Sequence, residues 1–319
     1  MSTSAAVNED GNSAPAPGEH RDTYGVAKCV EMYDEAIAPV APGVAALLDL
    51  FQPAFLHSTG FLHTNQGTGD SYARHRSQFI DVGCGSGSFT LKYLLPRLPS
   101  WCSKLVGVDN SEAMLKFARE KRSDPKIEYR NLDLLSDQDV ERFVLAEGHF
   151  QMVYSFSALH WIADHRHALK NLETLMAPGG ECFLLFSSDL VVFDVFTAMI
   201  SSPRWEKYSG VLLQVLPETR NMVDVTSLRS HLRNVVNATN LMPLACEVFR
   251  VTGDTGVNKA TTLDFLCLLN PVYPLLKEEE KAELRTFTED VLQDFRKRRS
   301  ERAIKDYKCL VIHAYKPRQ

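Results

Sequence analysis

Short apolar segments alternating with helical patterns of 10–15 residues predict an α/β fold, a doubly wound and mostly parallel seven-stranded sheet with helices on its faces. Two observations anchor that reading. An apolar segment at 79–82 runs into Gly83, Gly85 and Gly87, and a helical pattern starts directly afterwards. The next apolar segments then end on acids, Asp109 and Asp133, at what would be one edge of the sheet.

The chain has 319 residues, 45% of them hydrophobic and 24% charged, which is the composition of a globular protein. A net charge of −5 gives no electrostatic basis for binding nucleic acid or an anionic membrane surface. Its 7 cysteines are odd in number and lack C-x-x-C spacing, the pattern of buried thiols in a reducing, cytoplasmic setting rather than of a disulfide or zinc framework. No apolar stretch approaches the length of a membrane span, so stable membrane anchoring is not expected.

Residues 1–20 are rich in Ser, Ala, Pro, Gly and Asn and read as a disordered tail. Between 23 and 56 the pattern is helical but broken by Pro39, Pro42 and Pro53. A polar, glycine-containing loop is expected over 57–78. Strands are expected at 79–82, 105–109, 127–130, 152–156 and 181–186, with helices from 88 and over 112–122, 137–147 and 163–176. Ser111 is placed to cap the second of these helices. After Ser187 the alternation lapses into helical stretches at 191–200, 208–215, 225–238, 261–269 and 277–299, with strands at 246–251 and 309–315. One domain over 21–319 is expected, with helical lid elements at about 22–56, 190–220 and 257–300 over an acceptor pocket.

The glycines bring backbone close to a ligand, and the following helix N-terminus presents unpaired N–H groups and a positive dipole end. Such spacing alone would also suit a dinucleotide. Ser88 stands where that fingerprint wants Gly or Ala, and Asp81 supplies an acid that a dinucleotide does not need. Asp81 would suit a cationic ligand. Asp109 follows the glycine loop at the distance where an acid accepts hydrogen bonds from ribose hydroxyls, with Asn110 beside it; a capping or surface role is the alternative. At the end of the fourth strand, Ser155 faces the same edge. His160 is either a general base or a satisfied core histidine, and Trp161 either walls an acceptor site or packs in the core. The basic run at 296–299 reads as a solvated helix end.

The stretch Asp81-Val82-Gly83-Cys84-Gly85-Ser86-Gly87 resembles the first motif of the class I S-adenosylmethionine-dependent methyltransferases. That resemblance implies a Rossmann-like fold with the last strand inserted beside the fifth, and S-adenosyl-L-methionine as cofactor. It implies that the glycine loop carries the methionine part, that Asp81 reaches its amino group, and that Asp133 or the backbone at Leu134 meets the adenine. The chain lacks the Asn/Asp-Pro-Pro-aromatic motif of enzymes that methylate bases or amides.

The residues around Leu159-His160-Trp161, with Pro178-Gly179-Gly180 and Leu269-Asn270-Pro271, resemble the arthropod juvenile hormone acid methyltransferases over roughly 24–315. This implies methylation of the carboxylate of a small apolar acid such as farnesoic acid or juvenile hormone acid, with Trp161 contributing to activity. Where those enzymes carry a catalytic glutamine on the first helix, an alignment anchored on Tyr24 and Asp34 places Glu31. An ionised Glu cannot donate to a carboxylate as an amide does. Hydroxyl methylation, with His160 or Glu31 as base, and binding of the cofactor or a lipid acid without turnover remain the alternatives.

Overall fold

The computed structural model describes residues 27–56, 77–188, 190–252, 259–298 and 306–318. The expected tail at 1–20 and nearly all of the expected loop at 57–78 lie outside these residues. The described strands are β1 (Gln78–Val82), β2 (Lys104–Asp109), β3 (Ile127–Asn131), β4 (Phe150–Phe156), β5 (Met176–Ser187), β6 (Met242–Thr252) and β7 (Asp306–Tyr315). They form one 7-stranded sheet in the order β3-β2-β1-β4-β5-β7-β6. β1 to β5 run parallel, and β7 lies antiparallel between β5 and β6. Strand order reverses between β1 and β4, and the carboxyl edge at such a switch point is where α/β sheets bind ligands.

The helices are α1 (Ala27–Ile37), α2 (Ala41–Phe51), α3 (Glu112–Lys121), α4 (Asp137–Glu147), α5 (His165–Leu175), α6 (Val191–Ile200), α7 (Ser209–Gln214), α8 (Val225–Val236), α9 (Lys259–Leu268) and α10 (Glu278–Arg298). The pattern starting at residue 88 becomes a π-turn over Thr90–Leu94 that tightens into a 3-10 turn at Leu95–Arg97. Pro42 falls at the start of α2, where its missing N–H costs nothing. Side-chain oxygens of Ser111, Ser136, Asp164 and Asp224 cap α3, α4, α5 and α8, each accepting a backbone N–H of the first turn.

Alternation along the strands sorts side chains between the two faces of the sheet. Ile80, Val153, Leu184 and Ile312 face α4, α5 and α8, where Val140, Leu169 and Leu232 complete one core. Phe79, Met152, Phe183 and Val311 face the other way, against Leu48 of α2 and Leu115 of α3. A third apolar cluster lies off the sheet and joins α6, α7, α9 and α10 through Phe196, Leu212, Leu266 and Leu284. All 7 cysteines are buried free thiols.

Several expected boundaries shift, with β6 starting at Met242 rather than 246 and β7 at Asp306 rather than 309. β5 begins at Met176 rather than 181, because Phe150 pairs with Met176 and a register shift then carries the chain through Pro178, Gly179 and Gly180. The preceding helix accordingly stops at Leu175. No single helix among the described residues is long and apolar enough to cross a membrane; a pair bent by 57°, Cys29–Ile37 with Ala41–Ala54, reaches that composition jointly. Val44, Leu47 and Leu48 of that pair are buried in the second core.

Candidate active site

The loop after β1 is pinned from below: Gly83 and Cys84 donate their backbone N–H groups to the Val108 carbonyl at 2.8 and 2.9 Å. Gly83, Gly85 and Gly87 all have positive φ, at 76°, 53° and 73°. Their reasons differ. A Cβ on Gly83 would stand 2.2 Å from Cβ of Ala158, and one on Gly87 would stand 2.5 Å from the Tyr129 hydroxyl. At Gly85 the same position meets only Tyr33, at 3.6 Å. The first and third glycines therefore serve packing beneath the loop, whereas Gly85 keeps its upper side open to a pocket.

That pocket is lined by Gly83 and Gly85 from the loop, Asp109 and Asn110 after β2, and Asp133 and Leu134 after β3. The sheet register explains the convergence: Val82 pairs with Val108 and Asp109 with Asn131, so the carboxyl ends of the three strands finish level. Asp109 Oδ2 accepts the Gly85 N–H and its Oδ1 the Ser111 N–H, both at 2.9 Å. These bonds fix the carboxylate against the glycine loop. Asp133 Oδ1 accepts the N–H of Leu135 at 2.9 Å. Counting its open mouth, the pocket encloses about 1190 Å3 of empty space.

Several residues expected at the ligand lie elsewhere. Asp81 is only 2% exposed, does not line the pocket, and accepts a 2.6 Å hydrogen bond from the Thr90 hydroxyl beneath the loop. Burial, opposed by the Thr90 bond and reinforced by the charge of Asp109, pushes its carboxyl up to about 7. Gly87 is covered by Tyr129. Ser155 points to the sheet and donates to the Val82 carbonyl at 2.9 Å, because strand alternation turns it away from the opening.

The segment after β4 supplies the next wall. Ser157 has φ of 55°, the one non-glycine residue in the left-handed region among those described. This turn directs Ala158 onto Gly83 and Trp161 into the pocket. Trp161 stands edge-on to Phe193 of α6 at 5.7 Å. His160 faces the other way. It is 5% exposed, its Nδ1 accepts the Ser187 N–H at 3.4 Å, and burial pushes it down to about 3. A neutral, enclosed imidazole outside the pocket is placed as a core histidine rather than as a base.

Glu31 is exposed and absent from the pocket lining, so the position matched to a catalytic glutamine faces outward. The residue of α1 that enters the pocket is Tyr33. Helical periodicity accounts for this: Cys29 and Val30 are buried, and residues three and four further on share their face. Burial, then the charges of Asp109 and Asp34, push the Tyr33 phenol well above its usual range, so it keeps its proton. Asp34 accepts a hydrogen bond from the Ser86 hydroxyl and pairs with Arg122 at 2.6 Å. Gln214, Val215, Leu269 and Pro271 roof the pocket from α7 and from the segment after α9. Sequence reasoning singled out neither Tyr33 nor Gln214.

The family described as Methyltransferase domain matches residues 80–184, the stretch from β1 into β5. Over 96% of this chain and 99% of the other, the fold is similar to that of an S-adenosylmethionine-dependent methyltransferase from Anabaena variabilis, with a TM-score of 0.50 at 13% identity. Residues 80–184 thus match a methyltransferase domain, and the sheet around them has an α/β Rossmann-like order.

Among methyltransferases it resembles the juvenile hormone acid O-methyltransferases. It is 35% identical over 129 residues to the one from Bombyx mori, covering 40% of this chain and 45% of that protein. To the Drosophila melanogaster one it is 30% identical over 131 residues, 40% of this chain and 43% of that protein. The trans-aconitate 2-methyltransferase of Variovorax paradoxus is 35% identical over 104 residues, 33% of this chain and 36% of that protein. Each match therefore spans less than half the length of the relative.

Proposed function

We propose that the chain transfers a methyl group from S-adenosyl-L-methionine to the carboxylate of a small apolar monoacid, of the terpenoid or fatty-acid kind, forming a methyl ester. One observation carries the choice of acceptor: among the described residues, no Lys, Arg or His lines the pocket, and its only charged side chains are Asp109 and Asp133. A polyacid would need cations to offset the desolvation of its charges. A single carboxylate with an apolar body needs only neutral donors at one end and apolar contact along the rest.

The residues fit the cofactor. Gly85 leaves an open face over backbone at the carboxyl edge of the sheet, and Asp109 presents a carboxylate whose oxygens keep acceptor capacity for ribose hydroxyls. Asp133, with Leu132 and Leu134 beside it, suits an adenine ring and its amino group. Bound there, S-adenosyl-L-methionine would supply a methyl group on a positively charged sulfur. The protein's part is placement and dryness. A carboxylate is already ionised at neutral pH, so no base is required. Trp161 and Ile162 wall the acceptor side, and the helical segments over 190–220 and 259–298 would serve as a lid that excludes water. Absence of a histidine from the lining weighs against hydroxyl methylation, which needs a proton acceptor. Seven buried thiols suit a reducing compartment such as the cytoplasm.

The test is transfer from labelled S-adenosyl-L-methionine to a panel of terpenoid acids, fatty acids, tricarboxylates, alcohols and amines. Methyl esters of the apolar monoacids are the expected products. Ethers, amines or exclusive use of a tricarboxylate would overturn the reading, as would cofactor binding without any product.

A further inference from the structure

The pocket has two chemically distinct halves. Its floor holds the glycine loop with Asp109, Asn110 and Asp133, the groups suited to the nucleoside. Its roof is apolar, through Trp161, Ile162, Val215, Leu269 and Pro271, with one exception. That exception is Gln214, which carries the side-chain amide on that half.

Gln214 is the last residue of α7, and the helix is held in place by Leu212, buried in the same apolar cluster that takes Trp161 and Phe193. The glutamine itself is exposed, and among the described residues nothing hydrogen-bonds its amide. An acid entering the apolar half loses hydration from its carboxylate, and a carboxylate can only accept hydrogen bonds. Among the described residues, no cation lines the pocket to compensate. The neutral donors lining the pocket are the Gln214 amide, the Trp161 indole N–H and the hydroxyls of Tyr33 and Ser157, and of these Gln214 alone brings an amide from α7.

We infer that Gln214 is a specificity-determining residue whose Nε2 donates a hydrogen bond to the acceptor's carboxylate, selecting acids over apolar molecules of the same shape. The inference rests on the methyl-ester reading above. A neutral donor suits the chemistry, since it satisfies the spectator oxygen without pairing the attacking oxygen to a full positive charge.

The experiment uses the full chain, labelled S-adenosyl-L-methionine, the best acid from the panel, and S-adenosylhomocysteine as the probe of the cofactor half. Gln214→Leu should lower kcat/KM for the acid about 10- to 100-fold, the range for a lost hydrogen bond to a charged group. S-adenosylhomocysteine affinity and melting temperature should stay at native values. Gln214→Glu should be worse than Gln214→Leu near pH 8, where it repels the substrate, and should recover as pH falls towards 5 and the introduced carboxyl gains a proton to donate. A Gln214→Leu enzyme with kcat/KM within twofold of native overturns the role of Gln214 while leaving the methyl-ester reading intact. A parallel loss of S-adenosylhomocysteine affinity also overturns it, because the residue would then serve the cofactor. A native chain that binds S-adenosylhomocysteine and esterifies no acid overturns both.

Discussion

Asp34 on α1 and Arg122 at the end of α3 form an ion pair of 2.6 Å, and the same Asp34 carboxylate takes the hydrogen bond of Ser86 in the glycine loop. Both partners are largely shielded, with side-chain exposures of 14% and 21%. One carboxylate thus ties the helix that carries Tyr33 to the loop that Tyr33 overlooks. Asp34→Ala takes the carboxylate from Arg122 and the acceptor from Ser86 and should cost about 1–3 kcal/mol. Cofactor affinity should fall as the glycine loop loosens, by at most about 5- to 140-fold, the equivalent of that cost at 1.4 kcal/mol per factor of ten. Asp34→Asn keeps an acceptor for Ser86 and should lose less. Calorimetric titration with S-adenosylhomocysteine and thermal melts of both variants check this order.

Asp81 makes a pH-dependent contribution to the stability of the ligand-free chain. Burial raises its folded carboxyl from 3.8 to about 7. The folded state therefore holds this proton more tightly than the unfolded state. Its stabilising contribution is complete below the unfolded value near 4 and is lost progressively as pH rises to about 7. Asp81→Asn cannot ionise, so it should match the native chain near pH 4 and exceed it in stability at pH 8. A gap of at most about 4 kcal/mol follows from three units at 1.36 kcal/mol each. Denaturant unfolding at the two pH values measures it; equal gaps would show that Asp81 does not titrate in this window.

Trp161 is half-exposed to the pocket and rests edge-on against Phe193. Trp161→Leu should cut kcat/KM for the acid at least tenfold by opening the acceptor wall. S-adenosylhomocysteine affinity should hold, because the nucleoside half keeps its residues. Were the indole chiefly a core residue, truncation would instead cost several kcal/mol and lower binding and stability together. One melt and one titration on the same variant separate the two outcomes.

Glu31 and His160 should prove dispensable for the chemical step. Glu31 lies on the exposed side of α1, and Glu31→Gln should leave both the rate and its pH profile unchanged. His160 is held at about 3 by burial and stays neutral across the working range. His160→Gln should therefore alter stability without shifting the pH–rate profile between pH 6 and 8. A profile that moves with either substitution would restore that residue as an acid–base group.

The half of the pocket formed by Asp109, Asn110 and Asp133 was legible because it depends on strand ends. Asp109 could be placed from the spacing of a glycine loop and a second apolar run, and parallel register then sets Asp133 beside it. Where the sequence misled, side-chain direction was the cause. Ser155 and Ser157 are two residues apart, yet Ser155 hydrogen-bonds under the sheet while the left-handed backbone of Ser157 turns the chain into the pocket. His160 and Trp161 are adjacent, and a 3-10 turn at Leu159–Trp161 sends one into the core and the other to the pocket. Asp81 has the motif's place without facing the opening, because Thr90 claims its carboxylate from below.

By itself the amino-acid order determined the alternation of strands and helices, the glycine loop, the acids at the strand ends and the lapse into helices after Ser187. Those are local properties: periodicity, turn chemistry and capping act over a few residues. The tertiary structure decided what depends on distant segments meeting. It set the register of β7, antiparallel between β5 and β6, in the place beside the fifth strand that the family resemblance implied and no local pattern contains. It brought Tyr33 from α1, Gln214 from α7 and Pro271 after α9 to one opening. It also turned Glu31 outward, because the buried face of α1 follows from what the helix packs on, and no window of its own sequence contains that partner.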